Sequence, residues 1–230
     1  MCVVRSRQEV NEFYQQVLGT GVSTAERLSA PVSDRFAGFL NTVDDRAPRT
    51  ALDLGYGMGA YTITLARTGF DVVAVDQIPA QILRARLRDC CPAWASRITP
   101  VEGRIEDFSV ERQFGVVIAK DVLHYLRPDQ VRGVLTRCIQ RAPVGAGHFL
   151  EVFTDIIRTD RQGSRVLIED EAAYTAATFR NTIERLYSGW ELHMSLTQHA
   201  ERNTDSPRNY FEANRITVQA HRRDHNERRS

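Results

Sequence analysis

With 230 residues, 42% of them apolar and 26% charged, and a net charge of +1, the chain has the make-up of a globular protein and excludes disordered and fibrous classes. That length fits one large α/β domain better than two. No apolar run approaches the roughly 20 residues of a membrane-spanning helix, and Met1–Arg7 lacks the charged-then-apolar order of a secretory leader, so a cytoplasmic chain with no membrane partner is expected.

Lys120 is the single lysine among 30 basic residues. Arginine abundance without clustering on one face argues against nucleic acid as a partner. Cys2, Cys90, Cys91 and Cys138 have neither metal-ligand nor C-x-x-C spacing, so reduced thiols and no metal are expected. Nothing in the pattern sets an oligomeric state.

In chain order, Val10, Phe13, Tyr14 and Val17 recur at helical spacing in Glu9–Leu18, and Phe36, Phe39, Leu40 and Val43 do so around Ser33–Thr42, predicting a helical N-terminal cap over 1–47. From residue 48, short apolar runs alternate with helical patterns. Strands are expected at Thr50–Leu54, Asp71–Val75, Ile98–Glu102, Phe114–Ala119 and Phe149–Phe153. Helices Ala60–Thr68, Pro79–Cys90 and Pro128–Arg141 between them give the repeated βαβ pattern of a parallel sheet. A further helix is expected at Ala172–Tyr187. The apolar alternation of Trp190–His199 and Asn214–Arg222, with no crossover helix between, predicts an antiparallel pair joined by a long functional loop, Ala200–Ala213. A single domain over 1–221 and a disordered tail over 222–230, where arginines mix with Asp224 and Glu227, complete the expectation.

The sharpest signal is Ala51-Leu52-Asp53-Leu54-Gly55-Tyr56-Gly57-Met58-Gly59-Ala60, a strand entering a glycine turn that opens a helix. Such glycines let the backbone approach a ligand and accept positive φ. The next strand ends at Asp76, where a carboxylate can accept hydrogen bonds from both hydroxyls of a ribose; capping of the following helix is the alternative. Together these residues predict an adenosine-containing ligand across the carboxyl ends of two adjacent strands. Gly55-x-Gly57-x-x-Ala60 also satisfies the dinucleotide fingerprint, but Asp53 discriminates: its carboxylate repels a pyrophosphate and attracts an amino acid's ammonium group.

Asp53-Leu-Gly-Tyr-Gly-Met-Gly59 followed by Asp76 resembles motifs I and II of the class I S-adenosylmethionine-dependent methyltransferases, and the likeness runs from Thr50 to about His221. The resemblance implies an α/β, Rossmann-like, doubly wound and mostly parallel seven-stranded sheet with an antiparallel C-terminal strand. It also implies S-adenosylmethionine as cofactor, held by Asp53, Gly55, Tyr56, Gly57, Asp76 and Gln77. Val101-Glu-Gly-Arg-Ile-Glu-Asp-Phe108 is similar to the third motif, with Arg104 where the family's Asp would hold the adenine amino group. Glu106, Asp107 or backbone near Ile105 are the substitutes. Phe114–Leu126 resembles the fourth motif and adds Lys120 to the cofactor set. Ser188-Gly-Trp-Glu191, Thr204-Asp205 and Asn214-Arg-Ile216 are similar to the tellurite-resistance branch of the family.

Methyl transfer from a sulfonium is a direct displacement, so an enzyme of this family holds the nucleophile of a small-molecule acceptor in line at about 3 Å. Where the acceptor must lose a proton, His124, just beyond the strand expected to end beside the methyl group, is the candidate base; packing against the next helix is an equal alternative. Tyr14, Tyr125, His199, Arg202 and Arg215 are the candidate acceptor contacts, and Tyr14, Tyr125, Phe153, Tyr210 and Phe211 are candidates to line an aromatic acceptor pocket, with core or lid packing as the equal alternative. A cyclase or other non-methylating catalyst on the same fold, and a catalytically inactive cofactor-binding subunit, stay open.

Overall fold

The computed structural model describes residues 2–10, 12, 32–202 and 209–224. In chain order the elements are β1 (Cys2–Arg5), α1 (Asp34–Leu40), β2 (Thr50–Leu54), α2 (Ala60–Arg67), β3 (Asp71–Asp76), α3 (Ala80–Cys90), α4 (Pro92–Ala95), β4 (Ile98–Glu102) and β5 (Val116–Lys120). A 3-10 turn (Leu123–Tyr125) leads to α5 (Pro128–Arg141), β6 (Gly147–Arg158), β7 (Arg165–Ile168), α6 (Ala176–Leu186), β8 (Glu191–Arg202) and β9 (Asn209–His221).

Alternation along the strands sorts side chains into two layers. Leu52 and Leu54 of β2 join Val73, Val75, Val117 and Ala119 on the face covered by α5 and α6. Ala51 joins Val72, Ala74, Val116 and Ile118 on the face covered by α1, α2 and α3. Burial on both faces is why these strands read as continuous apolar runs. Helix starts are written locally: Ser33 Oγ accepts from Phe36 N–H at 3.3 Å, Thr175 Oγ1 accepts from Thr178 N–H at 3.2 Å, and Pro128 stands in the first turn of α5.

Seven strands form one sheet in the order β4-β3-β2-β5-β6-β9-β8, parallel from β4 to β6, with β9 antiparallel to both neighbours. This is the doubly wound sheet expected from the sequence. Connections leave β2 and β5 in opposite directions, and the crevice opens at their carboxyl ends.

Three expectations are corrected. The segment 1–47 is not only helical: residues 7–10 and 12 are helical, but β1 pairs in parallel with β7 in a second, two-stranded sheet. β1 is four exposed residues whose partner lies 163 positions away (Cys2 to Arg165), so no local periodicity announces it. The Ala200–Ala213 loop is largely strand, since β8 continues to Arg202 and β9 begins at Asn209; cross-strand pairing extends polar segments that hydropathy leaves unmarked. Residues 222 and 223 do not belong to a disordered tail, because Arg222 exchanges backbone hydrogen bonds with Gly145 and Ala146 (2.7 and 2.9 Å) and Arg223 pairs with Glu191 at 2.6 Å; residues 225–230 lie outside the described residues.

Candidate active site

β2 ends where Gly55 N–H donates to Val75 O at 2.8 Å. Gly55 has φ +78°, and a Cβ there would lie 2.6 Å from Val122 Cγ2, so both backbone conformation and close packing demand glycine. Gly57, at φ +49°, faces clear space: a Cβ built on it meets nothing within 4 Å. The turn thus offers bare backbone to an open volume. Tyr56 points the other way; its buried ring packs with α2 and α3, and its hydroxyl donates to Ile78 O at 3.0 Å. Its side chain therefore braces the turn, which leaves its backbone as the part that a cofactor held by the turn would meet.

Two carboxylates flank the turn. Asp53 is 2% exposed and accepts from the Thr62 hydroxyl of α2 at 2.5 Å. Burial pushes its pKa up to about 7; Asp76 adds to the rise, while the Thr62 bond and Lys120 oppose it. Asp76 accepts from Gly57 N–H at 2.8 Å and Ile78 N–H at 3.1 Å. Burial still raises its pKa above the ordinary carboxylate value, against those bonds and one from Gln77 N–H. Asp76 therefore holds the glycine turn, a role that neither ribose binding nor helix capping included.

Beyond β4, Ile105 is buried in the core and Glu106 follows with a side chain only 4% exposed. Glu106 Oε1 receives Arg104 Nη2 at 2.5 Å, Arg7 Nη2 at 3.2 Å and Gln130 Nε2 at 3.5 Å, while Oε2 is buried without a partner. Burial alone would raise this carboxyl, but its own backbone N–H, the Arg104 hydrogen bond and the charge of Arg7 hold it below the usual value. Arg104, in the place of the family's acidic residue, is itself tied back to Glu106 and to Asp107 at 3.6 Å.

At the end of β5, Lys120 pairs with Asp121, lies 3.9 Å from the buried Glu151 and stands over the Tyr61 ring at 5.6 Å. Its charge is thus already shared between two carboxylates. Asp121 has φ +52°, pairs with Arg215 at 3.6 Å and leaves Oδ1 buried without a partner.

A cavity of about 970 Å³ lies beside this strand end, bounded by β1, β6, β7 and the β8–β9 hairpin. His124, Tyr125 and Arg215 line it, together with Phe153, Tyr210 and Phe211 of the expected aromatic group and with Arg158, which the sequence reading did not include. Arg158 lies at the far end of β6, and the length of that strand beyond its apolar run was not readable. His124 is 2% exposed, packed 4.2 Å from the Tyr125 ring and 5.3 Å edge-on to Phe153, with Nδ1 unpartnered. Burial, with the charges of Arg158 and Lys120 behind it, pushes its pKa down to about 3. A histidine so weakly basic is neutral near pH 7 and a poor proton acceptor, which favours the packing alternative over the general base. His199 stacks behind the wall, 4.9 Å from Phe153 and 3.0 Å from Glu201. Arg202 sits exposed at the end of β8, outside the lining, and Tyr14 lies outside the described residues. Among the described residues no three His, Cys, Asp or Glu side chains gather as a metal site, and no helix is long and apolar enough to cross a membrane.

Residues 51–142 match a family model described as a methyltransferase domain. By sequence the chain is similar to nodulation protein S of Bradyrhizobium diazoefficiens (38% identity over 78 residues, 34% of this chain and 36% of that protein). It is also similar to magnesium-protoporphyrin O-methyltransferase of Rhodobacter capsulatus (36% over 111 residues, 48% of this chain and 46% of that protein). The chain spans less than half the length of these curated relatives. Among solved structures, TehB from Haemophilus influenzae superposes with a TM-score of 0.60 at 18% identity, over 82% of this chain and 62% of that one. The N-methyltransferase NodS from Bradyrhizobium japonicum WM9, in complex with S-adenosylhomocysteine, does so with 0.57 at 18%, over 92% and 99%. At such identity these two likenesses speak to fold. Residues 51–142 thus carry a sequence likeness to methyltransferase domains, and the seven-stranded sheet has the architecture of these solved methyltransferase structures.

Proposed function

We propose that the chain transfers a methyl group from S-adenosylmethionine to a small-molecule acceptor by in-line displacement. The observation that carries the reading is the open space over the Gly57 backbone between the carboxylates of Asp53 and Asp76, on the same sheet edge as the cavity beside β5 and β6.

The residues present fit such a cofactor. Asp53 suits its ammonium end, because a cation beside this buried carboxyl favours the ionised form that burial disfavours. Asp76 spends three of the roughly four acceptor sites of a carboxylate on the backbone N–H groups of Gly57, Ile78 and Gln77 and keeps one for a ribose hydroxyl. Glu106 Oε2, buried and unpartnered, is an acceptor where an adenine amino group needs one. When bound, S-adenosylmethionine supplies a methyl group made electrophilic by its sulfonium. The chain's contribution is alignment and exclusion of water, with neutral His124 offering Nδ1 as a hydrogen-bond partner to the acceptor rather than as a strong base.

Calorimetric titration with S-adenosylmethionine and S-adenosylhomocysteine tests the first half, and transfer of isotopically labelled methyl to a low-mass product from a metabolite extract tests the second. Failure to bind either cofactor form overturns the reading. Cofactor consumption without the demethylated form identifies a different reaction on the same fold.

A further inference from the structure

We infer that Arg7 is a positioning residue for the adenine end of the cofactor, and that the segment carrying it relays cofactor occupancy to the wall of the cavity beside β5 and β6. The inference rests on the methyltransferase reading, in which Glu106 Oε2 meets the adenine amino group. The segment is set by its own sequence. Ser6-Arg7-Gln8-Glu9 is a capping box: Glu9 Oε2 accepts from Ser6 N–H at 2.7 Å, and Ser6 Oγ accepts from Glu9 N–H at 3.2 Å. The box turns the chain out of β1 into the helical residues 7–10 and leaves Arg7 in the first helical position.

On one side of the box, β1 pairs with β7 from Cys2 opposite Arg165 to Arg5 opposite Ile168, and Arg5 O accepts from Glu169 N–H at 2.9 Å. Arg5 and Val10 line the cavity. Arg7, between them in sequence, reaches Glu106 instead, with Nη2 3.2 Å from Oε1. One short segment thus touches the cavity with two residues and the expected adenine contact with a third.

Three side-chain donors among the described residues converge on the same oxygen of Glu106: Arg104 at 2.5 Å, Arg7 at 3.2 Å and Gln130 at 3.5 Å. Oε2 is left enclosed and without a partner, an arrangement that protein interiors rarely keep. A donor arriving at Oε2 meets a carboxylate whose rotamer the other three hold. Gln130 stands at the limit of a hydrogen bond and Arg104 is 49% exposed, whereas Arg7 is 20% exposed and comes from 99 positions away. Arg7 is therefore the donor that both holds the rotamer and belongs to a separate element. Since a ligand on Oε2 and Arg7 on Oε1 favour the same rotamer of Glu106, each strengthens the other, and linkage makes the effect reciprocal. Cofactor binding tightens the segment, and with it the part of the cavity wall that Arg5 and Val10 supply.

The test uses the full chain with S-adenosylhomocysteine and with S-inosylhomocysteine, which places a carbonyl oxygen, an acceptor, where the adenine amino group donates. Saturating S-adenosylhomocysteine is expected to slow amide hydrogen exchange over residues 3–10 by about fivefold or more, the low end of ordinary coupling between sites, and S-inosylhomocysteine is expected not to. Arg7→Ala should weaken S-adenosylhomocysteine by a similar factor, leave S-inosylhomocysteine unchanged and remove the slowing. Arg7→Lys, which keeps a donor, should recover part of each effect. A loss of affinity shared by both nucleosides would make Arg7 a merely structural residue and overturn the inference. No slowing, equal slowing by both nucleosides, or slowing that survives in Arg7→Ala overturns it as well. Absence of S-adenosylhomocysteine binding in the unmodified chain instead overturns the functional reading beneath it.

Discussion

Asp76→Ala removes the acceptor of the pair of backbone hydrogen bonds from Gly57 N–H at 2.8 Å and Ile78 N–H at 3.1 Å, beside a third contact from Gln77 N–H. Bonds to a charged group contribute about 1.5–3 kcal/mol each, so the pair is worth at most about 3–6 kcal/mol. Burial works against this sum, since the Asp76 pKa is raised despite the bonds and the ionised carboxylate sits in net unfavourable surroundings. Removing it relieves that penalty, and the expected loss of stability is about 1–3 kcal/mol. For a chain of this size that lowers Tm by about 2–12 °C. Cofactor affinity should fall at least about tenfold in the same protein, about 1.4 kcal/mol, because the ribose loses an acceptor and the turn loses its anchor. Denaturant unfolding and calorimetric titration with S-adenosylhomocysteine on one preparation read both quantities. Unchanged stability would refute the anchoring of the turn. Reduced stability with unchanged affinity would leave Asp76 a purely structural residue and remove the ribose contact from the functional reading.

The parallel sheet was legible because its strands are buried on both faces and its crossovers are amphipathic helices, both of which are local patterns. Val72 to Val75 and Val116 to Ala119 could hardly be read otherwise. The glycine turn was legible because backbone conformation restricts residue type directly: Gly55 cannot be replaced against Val122. Contacts that depend on distant segments were not legible. Arg7 reaching Glu106 across 99 positions, and β1 finding β7, involve residues whose own neighbourhoods carry no special pattern. Roles that depend on burial were left open for the same reason. His124 and Tyr56 are chemically versatile in isolation, and only the enclosure of His124 by Phe153 and of Tyr56 by the α2–α3 layer favours packing for the one and a brace for the other. The cavity beside β5 and β6 was least legible, since apart from Asp121, His124 and Tyr125 it is assembled from β1, the far end of β6, β7 and the terminal hairpin.

Gly55→Ala should destabilise by several kcal/mol, through its 2.6 Å approach to Val122 and its positive φ, whereas Gly57→Ala should cost about 1 kcal/mol of stability but at least about tenfold in cofactor affinity; thermal melts and titration separate the two, and equal melting temperatures would refute the packing argument. The single-turnover rate at saturating cofactor should show no limb near pH 6.5 that His124→Ala abolishes, since His124 is neutral above about pH 3; such a limb would restore it as the base. Exhaustive chelation should leave methyl transfer unchanged, and loss restored by one specific metal would show a site the side chains do not announce. Asp53→Asn carries the electrostatic argument furthest. The Asp53 carboxyl has its pKa raised from 3.8 to about 7 by burial, so the folded protein binds this proton more tightly than the unfolded chain does. The stability it contributes is fully present below about pH 4 and is lost as the pH rises through about 7, each tenfold in proton affinity being worth about 1.4 kcal/mol. Asparagine keeps an acceptor for the Thr62 hydroxyl and carries no charge to bury, so Asp53→Asn should melt near the unmodified protein below about pH 4 but higher by several degrees at about pH 8, while binding S-adenosylhomocysteine at least about tenfold more weakly. Equal melting temperatures at pH 8 would mean that the free protein holds the Asp53 carboxylate without strain, and the reason given for its preference for a cationic partner would fall with it.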